Sequence, residues 1–180
     1  MHASSLLALL AGPDRRSIGR SPLVVRRVLH SPALLPALVR GLSVKDPLVR
    51  MRAADALEKV AHHLPNSVQR YRTRILRVAE ASNQPEVQWH MAQLLPRLEL
   101  DSVQRAQARH LLRRYLGCSS SIVQTMALDA LVRLAPATRA GQAQVGRLLD
   151  AASTSAFAAV RARARRLRAA LRKSASGPTV

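Results

Sequence analysis

Apolar residues recur along the chain at the spacing of α-helices. Between residues 46 and 60 they follow the intervals i, i+4, i+7, i+8 and i+11, at Val49, Ala53, Ala56, Leu57 and Val60. These intervals define one stripe along a helix. The stripe returns at intervals of 36 to 38 residues, beginning again at Val87, Val123 and Val160. Four copies at nearly constant spacing predict a structural repeat.

A second helical pattern precedes each copy of the stripe. These first helices begin with residue types that cap helix N-termini, namely Ser31, Asn66, Asp101 and Thr138. Pro47 and Pro85 stand at matching positions, where proline opens the second helix of a pair. The predicted pairs cover residues 31–64, 65–99, 100–135 and 136–173. An N-terminal capping pair is expected over 1–30, and the small, polar residues 174–180 predict a flexible tail.

No segment alternates as a strand does, so the chain is predicted to be all-α. Two helices in each repeat indicate a right-handed α-solenoid of four to five antiparallel helix pairs. The motif Asp-Pro-x-Val-Arg-x-x-Ala-x-x-Ala-Leu, which runs from Asp46 to Leu57, resembles the second helix of HEAT repeats. The resemblance covers residues 31–172 and, more weakly, 4–30. It implies that the second helices line a concave surface.

The copies depart from the HEAT pattern at one position. Gln88 and Gln124 replace Arg50 in the next two copies. The resemblance implies an Asp–Arg ladder between neighbouring repeats, and these replacements remove most of it. We expect packing to hold the turns instead.

The chain is strongly basic, with 29 Lys and Arg against 10 Asp and Glu and a net charge of +19. All but three of the bases are arginine. Such an excess attracts nucleic acid, anionic membranes or acidic proteins. A GC-rich genome would also enrich arginine and alanine without selection for binding. The 48% of hydrophobic residues excludes wholesale disorder.

The basic residues form rows on the predicted helices. With the apolar stripe turned inward, the solvent-facing positions of the second helices hold two acids, Asp55 and Asp129, and six bases. These bases are the expected partner- or anion-binding site: Arg52, Lys59, Arg97, Arg133, Arg163 and Arg166. A secondary basic stripe on the last helix consists of Arg161, Arg165, Arg168 and Arg172. This stripe is the polar cap of the solenoid, an anion-binding face or a face that lies on an anionic membrane surface.

Catalytic and metal-binding patterns are missing from the sequence. No histidine has a second His, Cys or carboxylate at ligand spacing on its helical face, and no phosphate-binding glycine loop occurs. The single cysteine, Cys118, excludes a disulfide framework and is expected to be a buried small residue. Some HEAT-like proteins are DNA glycosylases, but Trp89 is the only large aromatic on a second helix, so we do not expect that activity. The sequence predicts no enzyme, no metal and no cofactor.

We interpret the chain as a non-catalytic scaffold for protein–protein interaction, which binds an acidic protein or peptide through its basic concave surface. The alternative is sequence-independent nucleic-acid binding through the arginine rows. No apolar run approaches the length of a membrane span, and Leu6 to Leu10 lack the basic flank of a signal peptide. A cytoplasmic location is therefore expected. The oligomeric state stays open.

Overall fold

The computed structural model describes residues 3–14 and 17–175, which form α-helices and contain no strand. The helices are α1 (Ala3–Ala8), α2 (Ser21–His30), α3 (Leu35–Gly41), α4 (Pro47–His63), α5 (Pro65–Gln69), α6 (Arg72–Ala81), α7 (Pro85–Leu94), α8 (Ser102–Leu116), α9 (Ser121–Arg133), α10 (Arg139–Ser153) and α11 (Ala158–Ala175). Short 3-10 turns precede α3 (Pro32–Leu34) and follow α7 (Leu95–Arg97). The prediction of an all-helical repeat chain is confirmed.

Side-chain caps set the start of several helices. Asp46 accepts a hydrogen bond from the backbone N–H of Leu48 at 2.8 Å, and Pro47 takes the first position of α4. Ser120 and Thr138 cap α9 and α10 in the same manner. Each cap satisfies backbone donors that have no partner within the helix.

Two predicted helix starts are wrong. Helix α5 begins at Pro65, so Asn66 lies inside the helix and does not cap it. The first helical position suits proline, because the backbone N–H at that position has no partner within the helix and proline has no N–H. Ser31 makes no side-chain cap, and Pro32 after it opens a 3-10 turn. At the other end of the chain, α11 continues to Ala175, so residues 174 and 175 of the predicted tail are helical. The rest of that tail, residues 176–180, lies outside the described residues.

Residues 1–108 form the first of two compact units. Helix α4 lies at its centre and packs against α2, α3, α5 and α7. Helix α3 approaches α4 closely at Gly41, where an added Cβ would lie 3.0 Å from the Cβ of Ala53. Small residues at this crossing therefore permit the tight packing of the pair.

Residues 109–180 form the second unit. Helix α11 packs against both α9 and α10. Leu116 at the end of α8 packs against the core of this unit, which consists of Leu128, Val145, Leu149, Ala152, Val160 and Ala164.

The turns between paired helices are held by hydrogen bonds from one repeated position. The fourth residue of each second helix donates to the carbonyl of the residue six places earlier. Gln88 Nε2 donates to Ser82 at 2.9 Å, and Gln124 Nε2 donates to Cys118 at 2.6 Å. The expectation that packing holds the turns is wrong, because these side chains bind the turns by hydrogen bonds, and a glutamine amide reaches the same carbonyl as an arginine.

Arg50 also links two successive repeats. Its Nε donates to Gln84 Oε1 at 3.1 Å, and Gln84 Nε2 donates to the carbonyl of Pro47 at 2.9 Å. Gln84 occupies the position of Asp46 one repeat later. A rung of the expected Asp–Arg ladder therefore survives with glutamine as the acceptor.

None of the described helices combines the length and the apolar character that crossing a membrane requires.

Candidate interaction surface on the second helices

The predicted row begins at Arg52, which is not at the surface. The residue is 3% exposed, and its guanidinium donates to four backbone carbonyls of the segment before α2. The acceptors are Leu10, Ala11, Asp14 and Ser17. The prediction of a solvent-facing Arg52 is wrong, because this segment folds back over α4 and its carbonyls need donors. Arg52 therefore stabilises the fold of the first unit and is not part of the surface that a partner could contact.

A glycine allows this segment to close over Arg52. Gly19 has a φ of +53°, and an added Cβ would lie 2.7 Å from Arg52 Cζ. Both the backbone conformation and the contact therefore require the smallest residue.

Asp55 is the buried acceptor of a small polar cluster. Its Oδ2 accepts from Ser21 Oγ at 2.5 Å and from Lys59 Nζ at 2.8 Å. His90 Nε2, on α7, lies 3.9 Å from Asp55 Oδ1. Lys59 keeps two fifths of its side chain exposed, but its charge is already opposed by this carboxylate.

Burial determines the charge of His90. Burial lowers the pKa of His90 to about 4, against the opposing attraction of Asp55 and with a smaller contribution from the Lys59 charge. The contact with Asp55 is therefore between a carboxylate and a neutral imidazole at neutral pH. Within the described residues His90 Nδ1 has no hydrogen-bond partner.

Glu58 is a member of this face that the sequence reasoning missed. It is buried, and its Oε1 lies 3.0 Å from His62 Nε2 and 3.5 Å from Arg97 Nη2. The statement that no histidine shares a helical face with a carboxylate is therefore wrong for His62. The four-residue spacing from Glu58 to His62 was the available signal.

The bases of the predicted row are thus opposed or buried in the first unit. Lys59 and Arg97 are opposed by Asp55 and Glu58, and Arg52 is buried under the loop. The row predicted from the sequence does not present a strong positive field here.

The second unit keeps a basic surface. Arg163 Nη1 on α11 lies 3.1 Å from Asp129 Oδ2 on α9. Partial burial raises the pKa of Asp129, while the charges of Arg163 and Arg133 act to lower it. Arg133 and Arg166 are both exposed. The charges of two guanidinium groups, Arg163 and Arg133, therefore act on one carboxylate, and Arg166 is a further exposed base on α11.

The secondary stripe on α11 divides in the structure. Arg161 Nη1 donates to the carbonyls of Ser155 and Ala156 and so holds the preceding turn. Arg168 Nη2 lies 2.5 Å from Asp150 Oδ1. Arg165 and Arg172 are exposed. These four arginines therefore do not form one uniform face.

The described residues contain no group of three His, Cys, Asp or Glu side chains placed to hold a metal ion. Cys118 is half-buried at the turn before α9, where Sγ lies 3.6 Å from the carbonyl of Ser120. Cys118 was expected to be a buried small residue, and it is only partly buried, since a turn position leaves part of the side chain in solvent.

Comparison with known proteins shows which folds this chain resembles. A HEAT-repeat family model matches residues 34–64, which hold α3 and α4. An engineered protein solved by the Northeast Structural Genomics Consortium superposes with a TM-score of 0.62 at 22% identity, over 91% of this chain and 70% of that one. A second engineered protein from the same consortium gives a TM-score of 0.58 at 19% identity, over 91% of this chain and 77% of that one. No curated protein matches the chain.

At these identities the two structures show the fold alone. The family match is independent of them, and it covers the segment whose motif runs from Asp46 to Leu57. Residues 34–64 therefore match a HEAT repeat, within an all-helical repeat chain.

Proposed function

We propose that this chain is a non-catalytic scaffold that binds an acidic segment of a partner protein on the second-helix surface of its second unit. HEAT repeats are typical of protein-interaction scaffolds, and residues 34–64 match that family. Helices that are ordered before the partner arrives lose little conformational entropy when it docks. The proposed site consists of Arg133, Arg163 and Arg166.

The ion pair between Arg163 and Asp129 is the observation that supports this site. It places a carboxylate of the chain's own against a guanidinium on this surface, at 3.1 Å. Arg133 and Arg166 lie on the same two helices and are exposed. Acidic side chains of a partner would pair with these two, while Asp129 continues to orient Arg163.

The second-helix surface of the first unit is a poorer candidate. Lys59 and Arg97 already have carboxylate neighbours, so a partner would have to displace Asp55 or Glu58. Leaving either buried carboxylate without its cation carries a desolvation cost.

A charge-reversal experiment tests the proposal. A labelled oligoglutamate peptide is titrated with the wild-type chain, with Arg133→Glu/Arg166→Glu, and with the matched control Arg70→Glu/Arg105→Glu. Both double variants change the net charge equally, and all four arginines are exposed. We expect the first variant to weaken binding by roughly tenfold or more and the control by less than about threefold. Equal losses in both variants, or wild-type affinity no better than for a neutral peptide, would contradict the site.

Sequence-independent nucleic-acid binding is the second candidate. It is supported by three exposed arginines of the first-helix segment, Arg70 in the turn before α6 and Arg74 and Arg77 on α6. Random duplex DNA titrated at increasing salt distinguishes it, because phosphate contacts release counterions and give a steep salt slope. Micromolar binding at physiological salt, lost on reversal of the first-helix arginines, would favour nucleic acid over the acidic peptide.

The location is also part of the proposal. A lone half-buried cysteine suits a reducing compartment, where thiols stay free. We therefore propose that the chain functions in the cytoplasm.

A further inference from the structure

A cleft of about 590 Å³ lies in the first unit, between the turn that follows α3 and the C-terminal half of α6. It is separate from the second-helix row. Its polar lining consists of Ser43, Arg50, Arg74, Arg77, Ser82 and Asn83. No acidic side chain lines the cleft in the described part of the chain. Three guanidinium groups without a carboxylate make a strongly positive concavity.

Arg50 is fixed in place before any ligand binds. Its Nε donates to Gln84 Oε1 at 3.1 Å, and its Nη1 donates to the carbonyls of Val44 and Lys45 at 2.9 and 2.8 Å. None of these bonds uses Nη2. The group therefore retains donors for a ligand and loses little rotamer entropy when it binds one.

Arg74 and Arg77 supply the movable part of the site. They lie three residues apart on one face of α6, and both are exposed. Unlike Arg97, Arg163 and Arg168, neither forms an ion pair with a described residue. Their charges therefore remain available to an anion in the cleft.

We propose that this cleft binds a phosphate monoester. A phosphate monoester is close to a dianion at neutral pH, and its three terminal oxygens accept hydrogen bonds from more than one guanidinium group. A single carboxylate carries one charge and pairs with one guanidinium group. The hydroxyls of Ser43 and Ser82 and the amide of Asn83 offer further donors. No aromatic residue lines the cleft, so it lacks a platform on which a nucleobase would stack.

The two sources of such a group are a phosphorylated side chain on a partner protein and a small phosphate ester. Isothermal titration of the full chain with three probes separates them: a phosphoserine peptide, glycerol 3-phosphate and inorganic phosphate. A phosphorylated segment is indicated if the peptide binds at least about tenfold more tightly than the two small probes and its unphosphorylated form does not bind. Equal affinities would assign the site to a free phosphate ester.

The decisive variant is Arg74→Gln/Arg77→Gln, with Arg70→Gln/Arg105→Gln as its control. Both remove the same charge from exposed positions, but only the first pair lines the cleft. We expect the cleft variant to weaken phosphate binding by about tenfold or more, because two of three guanidinium groups are lost. The control should lose less than about threefold, and thermal melts should show both variants folded. Equal loss in the control, or no binding of any probe to the wild type, overturns the proposal. Arg133 and Arg166 are unchanged in all these variants, so failure here leaves the acidic-peptide proposal intact.

Discussion

Arg50 and Arg161, in different helix pairs, make the same contact with their own chain. In each, Nη1 donates to the carbonyls of the residues five and six places earlier, in the turn before the helix. Gln88 and Gln124 occupy the equivalent positions and reach the residue six places earlier through a single bond. The four repeats thus share the hydrogen bond to the preceding turn at this position, although the residue is arginine in two of them and glutamine in the other two.

Gln124 provides a direct test of this bond. Gln124→Ala removes the donor to the Cys118 carbonyl and should lower the free energy of unfolding by about 1 kcal/mol, although alanine is the better helix former. Gln124→Arg should be tolerated, because Arg161 performs the same contact with an arginine. Urea denaturation measures both. Equal stability of the alanine and arginine variants would mean that the turn is held by packing after all.

Arg52 should be a stability residue and not a binding residue. Arg52→Lys replaces a planar fork bound to four carbonyls with a single ammonium, which cannot reach all of them. We expect the free energy of unfolding to fall by about 2 kcal/mol. Arg133→Lys, at an exposed position, should leave stability nearly unchanged.

The oligoglutamate titration separates the two roles of Arg52. Arg52→Lys should bind the peptide as the wild type does, since the side chain is buried in the first unit. Weaker binding by a fully folded Arg52→Lys chain would restore Arg52 to the interaction surface.

His90 predicts how stability depends on pH. Its pKa in the folded chain is about 4, below its ordinary value of 6.5, so the unfolded chain takes up the proton first as the pH falls. The contribution of the neutral His90 side chain to the free energy of unfolding is therefore fully present above pH 6.5 and is lost progressively towards pH 4. Between pH 7 and pH 5 the loss from this group is about 2 kcal/mol.

Urea denaturation at the two pH values, compared among three chains, isolates this effect. His90→Gln should reduce the fall in stability by that amount. His63→Gln, at an exposed position of α4, should behave as the wild type does. An identical pH dependence in the wild type and His90→Gln would show that His90 titrates normally.

The local features of this fold could be predicted from the sequence, because they depend on residues close together in the chain. The helical stripe from Val49 to Val60 and the cap at Asp46 are of this kind. The burial of Arg52 is different, because its acceptors lie 35 to 42 residues earlier in a segment without a periodic pattern. No helical register reveals that a loop will cover one of its polar positions.

The pairing of acidic and basic side chains on the second helices also could not be predicted from the sequence. Glu58 falls one position outside the predicted row, yet it approaches Arg97 of the following pair. The phosphate cleft joins Arg50 of α4 with Arg74 and Arg77 of α6, and it depends on how two helix pairs pack. The arginines were visible in the sequence as separate rows, but their convergence required the tertiary structure.

Two glycines of α10 predict opposite effects of the same substitution. At Gly146 an added Cβ meets nothing within 4 Å, so Gly146→Ala should raise the free energy of unfolding by about 0.5 to 1 kcal/mol through helix propensity alone. At Gly141 the Cβ would lie 2.1 Å from the carbonyl oxygen of Pro136, so Gly141→Ala should destabilise the second unit. Thermal melts of the two variants provide the comparison. Both residues lie in α10, so both substitutions gain helix propensity. A rise in melting temperature for Gly146→Ala and a fall for Gly141→Ala would therefore be due to the contact with Pro136. Stabilisation by both substitutions would mean that the turn before α10 yields at little cost and does not fix the start of the helix.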